Sequence, residues 1–235
     1  MLNGVINLDK PAGMSSARAV VKVKRLLPRG TKIGHAGTLD PFATGVLLLL
    51  IGKATKLCER LMDQPKQYEA TIKLGATTAT DDPESPEIVT AQFSPAHGPG
   101  YLGEAITSSQ VEETLKRFVG AIQQRPPSYS AMKIGGRRAY DLARRGNEVK
   151  LEARTVQVYN IELLDYHWPL LRVRIDCGRG TYIRSIARDL GESLGVGGYL
   201  TQLRRTRVGE FRIEQAVMLE QLLADGIERH LRGAD

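Results

Sequence analysis

The order of strand and helix signals predicts an α+β fold rather than a doubly wound parallel sheet, and three observations carry that prediction. Val46 to Ile51 is an unbroken apolar run of the length of a buried strand. Tyr68, Ala70, Ile72 and Leu74 alternate with polar residues, the period-two pattern of a half-buried strand. Ile183, Ile186, Ala187, Leu190 and Leu194 recur at helical spacing.

The elements follow in order along the chain. Gly4 to Leu8 reads as a strand, and Ser15 or Ser16 caps a helix carrying Ala17, Val20, Val21 and Leu27. Val46 to Ile51 is the core strand, Tyr68 to Leu74 the next, and Thr77 to Pro86 a polar, acidic turn region. Ser109 and Glu112 have capping-box spacing ahead of Val111, Leu115, Phe118 and Val119, which predicts a helix. Strands fill Val156 to Leu164 and Leu171 to Cys177. The helix after Gly180 buries one face and leaves Arg184 and Arg188 together on another, and a last helix covers Leu219 to Leu231. There is no internal repeat, low-complexity tract or heptad seam.

At 235 residues the chain can bury a core in one large domain or two small ones. No apolar run approaches the ~20 residues of a membrane helix. Met1-Leu2-Asn3-Gly4 lacks the sections of a signal peptide, which predicts a cytoplasmic protein. Cys58 and Cys177 lie far apart and read as small apolar residues rather than a disulfide or metal pair. The net charge of +7 is unevenly spread: residues 1–60 hold ten Lys or Arg against three acids, 125–154 eight against three, and 172–207 eight against three. Residues 61–124 hold four bases and nine acids, and 208–235 three and six. Such basic blocks suit either a phosphate backbone crossing one face or ordinary solvated surfaces.

Within Gly34-His-Ala-Gly-Thr-Leu-Asp-Pro-Phe-Ala-Thr-Gly45 a single carboxylate, Asp40, stands between two glycines and a proline. Pro41 disfavours a helical Asp40, and Gly37 and Gly45 permit tight bends or close backbone approach. Asp40 is therefore either a carboxylate presented to a ligand or the cap of a short turn with Pro41 at its first position. Other motifs drop out. Gly52-Lys53 fails as a phosphate loop because Gly45 lies too far upstream and Ala54 replaces the required Ser or Thr. His35, His97, His167 and His230 have no metal-ligand spacing. Gly195, Gly197 and Gly198 follow a helix and read as its stop.

Gly4-Val-Ile-Asn-Leu-Asp-Lys-Pro11, the Asp40 block, Gly52-Lys-Ala-Thr-Lys56 and Lys66-Gln-Tyr-Glu-Ala70 occur in order, followed by Arg125-Pro-Pro-Ser-Tyr-Ser-Ala-Met-Lys133, Gly180-Thr-Tyr-Ile-Arg184 and Leu203-Arg-Arg-Thr206. Across nearly its whole length the chain thus resembles the TruB family of tRNA pseudouridine synthases. The resemblance implies the pseudouridine synthase fold, a large mixed, mainly antiparallel sheet flanked by helices with a central active cleft. It implies one catalytic domain over residues 1–235, with an RNA-binding flap at 128–146; a plain surface helix and turn is the alternative there. Members commonly add a C-terminal PUA domain, for which too few residues follow the final helix.

By the same resemblance Asp40 is the catalytic carboxylate, Arg184 its ion-pair partner, and Tyr68 the ring that stacks on the target base. Tyr182 and Leu203 line the uracil pocket, His35 enters the RNA loop, and Lys10 and Lys133 meet phosphates. The implied reaction detaches uracil at N1 from C1′, turns it and rejoins it through C5, without redox change. It therefore calls for no cofactor and no metal. The expected partner is the T arm of tRNA, whose uridine 55 must be flipped out, with a monomeric enzyme needing no guide RNA, protein partner or membrane. A guide-RNA-dependent synthase of the dyskerin type and a tRNA-folding chaperone are the alternatives.

Overall fold

A computed structural model of the chain describes residues 2–90, 106–129, 133–134, 137–138 and 151–233. The N-terminal elements are β1 (Gly4–Lys10), α1 (Ser16–Lys24), β2 (Ile33–Ala36), β3 (Thr44–Ile51), a 3-10 turn over Gly52–Leu57, α2 (Cys58–Asp63) and β4 (Lys66–Leu74). Then come β5 (Ala76–Thr78), β6 (Glu87–Val89), α3 (Ser108–Lys116), β7 (Gly120–Gln124), β8 (Lys133–Ile134) and β9 (Arg137–Arg138). The chain continues with β10 (Arg154–His167), β11 (Leu170–Cys177), α4 (Ile183–Ser193), β12 (Gly198–Val208), β13 (Phe211–Arg212), β14 (Val217–Met218) and α5 (Leu219–Asp225). The Cα positions divide into two compact units, residues 1–69 with 202–235 and residues 70–201. The first unit is discontinuous, and no pattern within a single segment announces that its C-terminal part folds with the N-terminal strands.

In the first unit β3 is the central strand. β1 runs antiparallel along one edge from Gly4↔Ile51 to Lys10↔Gly45. The other edge is shared: β12 pairs parallel at Thr44 and Gly45, and β2 pairs antiparallel from Ala36↔Leu48 to Ile33↔Ile51. Residues Val46 to Ile51 have essentially no exposed surface. Both faces of β3 are therefore covered, which is why its sequence is continuously apolar rather than alternating. Its Leu48 and Leu50 pack with Val5, Ala36, Leu61 and Phe211, full burial of a Val, Leu or Phe side chain being worth roughly 1.5–3 kcal/mol.

In the second unit β11 pairs antiparallel with β10, and β10 with β7. The C-terminal half of β4 lies beside β11 and beside the start of β12, where the Thr201 hydroxyl donates to the Thr71 carbonyl at 3.1 Å. β4 shows the expected alternation of buried and half-buried residues throughout. Helix α4 buries Ile183, Ile186, Ala187 and Leu190 as its spacing predicts.

Several boundaries differ from the sequence expectation. Helix α3 is capped by Thr107, whose hydroxyl accepts from the Gln110 N–H while Gln110 Oε1 accepts from the Thr107 N–H at 2.7 Å, two residues upstream of the Ser109–Glu112 box. The last helix stops at Asp225 because Gly226 takes φ +81, and the chain then turns so that Arg232 exchanges both backbone bonds with Val5 at 3.0 Å. β10 extends beyond Val156–Leu164 at both ends. His35, expected on a loop, sits in β2. Most of the 128–146 segment lies outside the described residues; the exception in it beyond Ser128 and Tyr129 is the pairing of β8 with β9.

Candidate active site

The first unit builds a strapped loop around Asp40. Strands β2 and β3 diverge after Ala36↔Leu48, and residues 37–43 fill the gap. Asp40 opens a turn closed by Ala43 N–H donating to Asp40 O at 3.2 Å, with Pro41 supplying the φ that its second position requires. The Asp40 side chain is half-buried between buried Leu39 and Ala43.

Three side chains hold this loop by its backbone. The Ser16 hydroxyl, buried at the start of α1, accepts from Leu39 N–H at 2.8 Å and donates to Leu39 O at 3.0 Å. Arg205, 1% exposed, donates to Val46 O at 2.7 Å, Gly37 O at 3.0 Å and Thr38 O at 3.5 Å. The Lys10 ammonium, with no exposed surface, donates to Met14 O at 2.6 Å, Pro11 O at 2.8 Å and Pro41 O at 3.3 Å. The expectation that Lys10 meets a phosphate is thus corrected: its charge faces inward onto carbonyls, where a nucleic acid has no access. Beside this set Arg204 grips Asp9 at 2.7 Å and reaches the Thr44 hydroxyl at 3.2 Å.

Of the other predicted residues in this unit, Tyr68 (8% exposed) lies on the buried face of β4 and Leu203 (8%) on the same face of β12 as Arg205. His35 is half-buried opposite Leu49. Lys133 lies in β8.

The second unit organises the start of α4. Gln124, almost wholly buried, donates to Tyr182 O at 3.0 Å and accepts from Tyr182 N–H at 2.7 Å, and the Arg154 guanidinium sits 5.2 Å from the centroid of the Tyr182 ring. Arg184 is buried and ion-paired with Asp82 at 3.0 Å, while also donating to Thr80 O at 2.9 Å and Tyr129 O at 2.8 Å. The other Asp82 oxygen accepts from the Thr80 hydroxyl at 2.5 Å and from Glu84 N–H at 3.0 Å. One turn along, Arg188 binds Asp81 at 3.0 Å and Asp189 at 2.8 Å. Consecutive aspartates thus receive arginines spaced i, i+4, and Asp81 has φ +58, in the left-handed region. Burial pushes the carboxyls of Asp81 and Asp189 above the ordinary range despite Arg188. Burial opposes the charge on Arg188, but Asp189 and Asp81 more than offset it and hold its pKa up.

Ser16, Arg205 and Asp82 were not found from sequence. A serine near a helix start and an arginine in a strand carry no individual signal. The Asp81-Asp82 pair, set beside two arginines spaced i, i+4 on one later helix, was the one available hint. Among the described residues no helix is long and apolar enough to cross a membrane, and no three His, Cys, Asp or Glu side chains form a metal cluster.

Residues 24–183 match the model of the TruB family pseudouridylate synthase N-terminal domain, and residues 184–232 that of the tRNA pseudouridylate synthase B C-terminal domain. The chain is 46% identical over 224 residues to tRNA pseudouridine synthase B of Aromatoleum aromaticum, covering 95% of this chain and 69% of that protein. It is 45% identical over 221 residues to the protein of that name from Phocaeicola vulgatus, covering 92% and 90%. The chain also superposes on a solved chain of a Cbf5-Nop10-Gar1 complex with TM-score 0.70 and 32% identity, covering 97% of this chain and 57% of that one.

Proposed function

The chain belongs to the TruB family of pseudouridylate synthases, and from that premise we propose that it converts uridine 55 in the T-loop of tRNAs to pseudouridine without guide RNA. The observation that carries this proposal is the Asp40 loop: a half-buried carboxylate on a turn whose flanking carbonyls and amides are held by Ser16, Lys10 and Arg205. Such fixation suits a group that must meet a sugar or base carbon at short range, where a displacement of 1 Å costs up to about 10²-fold in rate. The reading also rests on about 45% identity to a protein named tRNA pseudouridine synthase B, against 32% to a chain of the Cbf5-Nop10-Gar1 complex, which favours tRNA as the target.

In the proposed reaction the target uridine is turned out of the T-loop stack and the loop is filled by His35. Tyr68 stacks on the extruded base, and Tyr182 and Leu203 line its pocket. Asp40 acts as the ionised carboxylate while N1–C1′ breaks and C5–C1′ forms. Arg184 is its proposed ion-pair partner, since a guanidinium opposes the tendency of a desolvated aspartate to protonate. The uracil proton at C5 is released to solvent and N1 regains one, so atoms balance without a cofactor. Lys133 is the proposed phosphate contact from the 128–146 flap. The enzyme works as a monomer in the cytoplasm.

The test is incubation of the purified chain with an unmodified T-arm hairpin, without added metal or guide, followed by mapping of pseudouridine. Product at the T-loop position is expected from the wild type and none from Asp40→Asn, with RNA binding retained. Binding without product in the wild type would support the chaperone alternative instead.

A further inference from the structure

We infer that the cleft beside β2 is a second phosphate site, which holds the sugar-phosphate backbone of the substrate RNA away from the target nucleotide; this rests on the proposed function and extends it. The cleft, about 530 Å³, is lined by Lys24, Gly30, Thr31, Lys32, Gly34 and Thr55 among others. It is walled by the end of α1, the turn leading into β2 and the 3-10 turn, which is tied to it by Gly52 N–H donating to Lys32 O at 2.8 Å. Gly30 and Gly34 leave the floor open, since a Cβ at either would meet nothing within 4 Å.

The charge around this cleft is uncompensated. Residues 16–56 hold eight Lys or Arg against one acid, Asp40. Among the described residues none of the eight enters an ion pair, whereas Lys73, Arg117, Arg174, Arg188 and Arg204 each have a carboxylate partner. Mutual repulsion of unpaired cations is relieved by a polyanion, and counterion release from its phosphates supplies the affinity. Lys24 and Lys32 are exposed, hydrated point charges, which suits a backbone passing across them rather than a small anion enclosed in a pocket. Direction comes from β2: at ~3.3 Å per residue, Lys32 stands about 10 Å from His35, the residue proposed to enter the RNA loop. Backbone held at the cleft would therefore continue toward the Asp40 loop.

The experiment titrates the T-arm hairpin at several chloride concentrations against the wild type, Lys24→Gln/Lys32→Gln, and a control of equal charge change at the C-terminal end of α3, Lys116→Gln/Arg117→Gln. The cleft variant is expected to bind roughly tenfold more weakly, with a log affinity against log salt slope shallower by about one to two, while the control matches wild type. Equal behaviour of cleft variant and wild type overturns the inference, as does an equal loss in the control. Replacing chloride by inorganic phosphate at matched ionic strength should change nothing; selective competition would mark a free-anion site and also overturn it. Pseudouridine mapped in the same tubes keeps the two proposals apart. Product from wild type with unchanged slopes sinks this one, and absence of product from wild type sinks the proposed function.

Discussion

Arg205 stands opposite Gly45 in parallel register, so closely that a Cβ on Gly45 would lie 2.9 Å from the Arg205 nitrogen and closer still to its carbonyl oxygen. Gly45 also has φ +103, a region that L side chains avoid. Gly45→Ala therefore has to push β12 away from β3 and strain its own backbone. A loss on the order of 3 kcal/mol is expected, read as a lowered urea midpoint with unchanged slope.

The guanidinium of the same arginine reaches Val46, Gly37 and Thr38, so it spans the opening from which the Asp40 loop emerges. Lysine keeps the charge but lacks the planar fork, and one ammonium cannot reproduce donors set this far apart. For Arg205→Lys we expect the single-turnover rate to fall by about 10²-fold while the RNA dissociation constant moves by less than about threefold. A change confined to affinity would show that Arg205 serves RNA contact instead of the loop.

Legibility from sequence followed the range of the interactions. β3 and β4 were visible because burial on two faces or one writes a continuous or alternating pattern into adjacent residues. β2 was not: Ile33-Gly-His-Ala has no strong period, and it is a strand because β3 offers it an edge later in the chain, from Leu48 opposite Ala36 to Ile51 opposite Ile33. Asp40 stood out because proline and glycine constrain their neighbours locally, while its catalytic role came only as an implication of the family resemblance. Its supports were hidden because Ser16 and Arg205 reach it across 23 and about 167 residues of sequence. The phosphate contact expected of Lys10 came from the family resemblance, and only the fold shows that its ammonium faces inward.

The Tyr199 hydroxyl donates to Glu87 at 2.5 Å, and Lys73 holds the same carboxylate at 2.7 Å. Burial, then the bond to Glu87, pushes the phenol from 10.0 up to about 12. The bond from Lys73, then that from Tyr199, lowers Glu87 below 4.5. A phenol raised on folding contributes stability that is complete below pH 10 and lost as pH climbs toward about 12. A carboxyl lowered on folding contributes stability present above pH 4.5 and lost as pH falls through its lowered value. Tyr199→Phe should cost up to about 1 kcal/mol between those limits, and its stability should approach that of wild type outside them. Urea unfolding across pH checks this; a constant difference from acid to alkali would assign the effect to packing.

The Arg184–Asp82 pair allows fold and chemistry to be separated. Both side chains are buried, and the pair is 3.0 Å apart. Asp82→Ala leaves a buried guanidinium without this carboxylate, and a cost of about 3–5 kcal/mol is expected. Replacing both by apolar residues of similar size, Arg184→Met with Asp82→Leu, removes the two desolvation penalties together and should recover most of that loss. If Arg184 serves only to bury charge beside Asp82, the double variant recovers activity along with stability. If it also keeps Asp40 ionised, as proposed, the double variant folds with a near-normal urea midpoint but forms pseudouridine at least about 10²-fold more slowly. Measured side by side on one T-arm hairpin, unfolding midpoint and single-turnover rate therefore decide whether this arginine belongs to the scaffold alone or to the reaction as well.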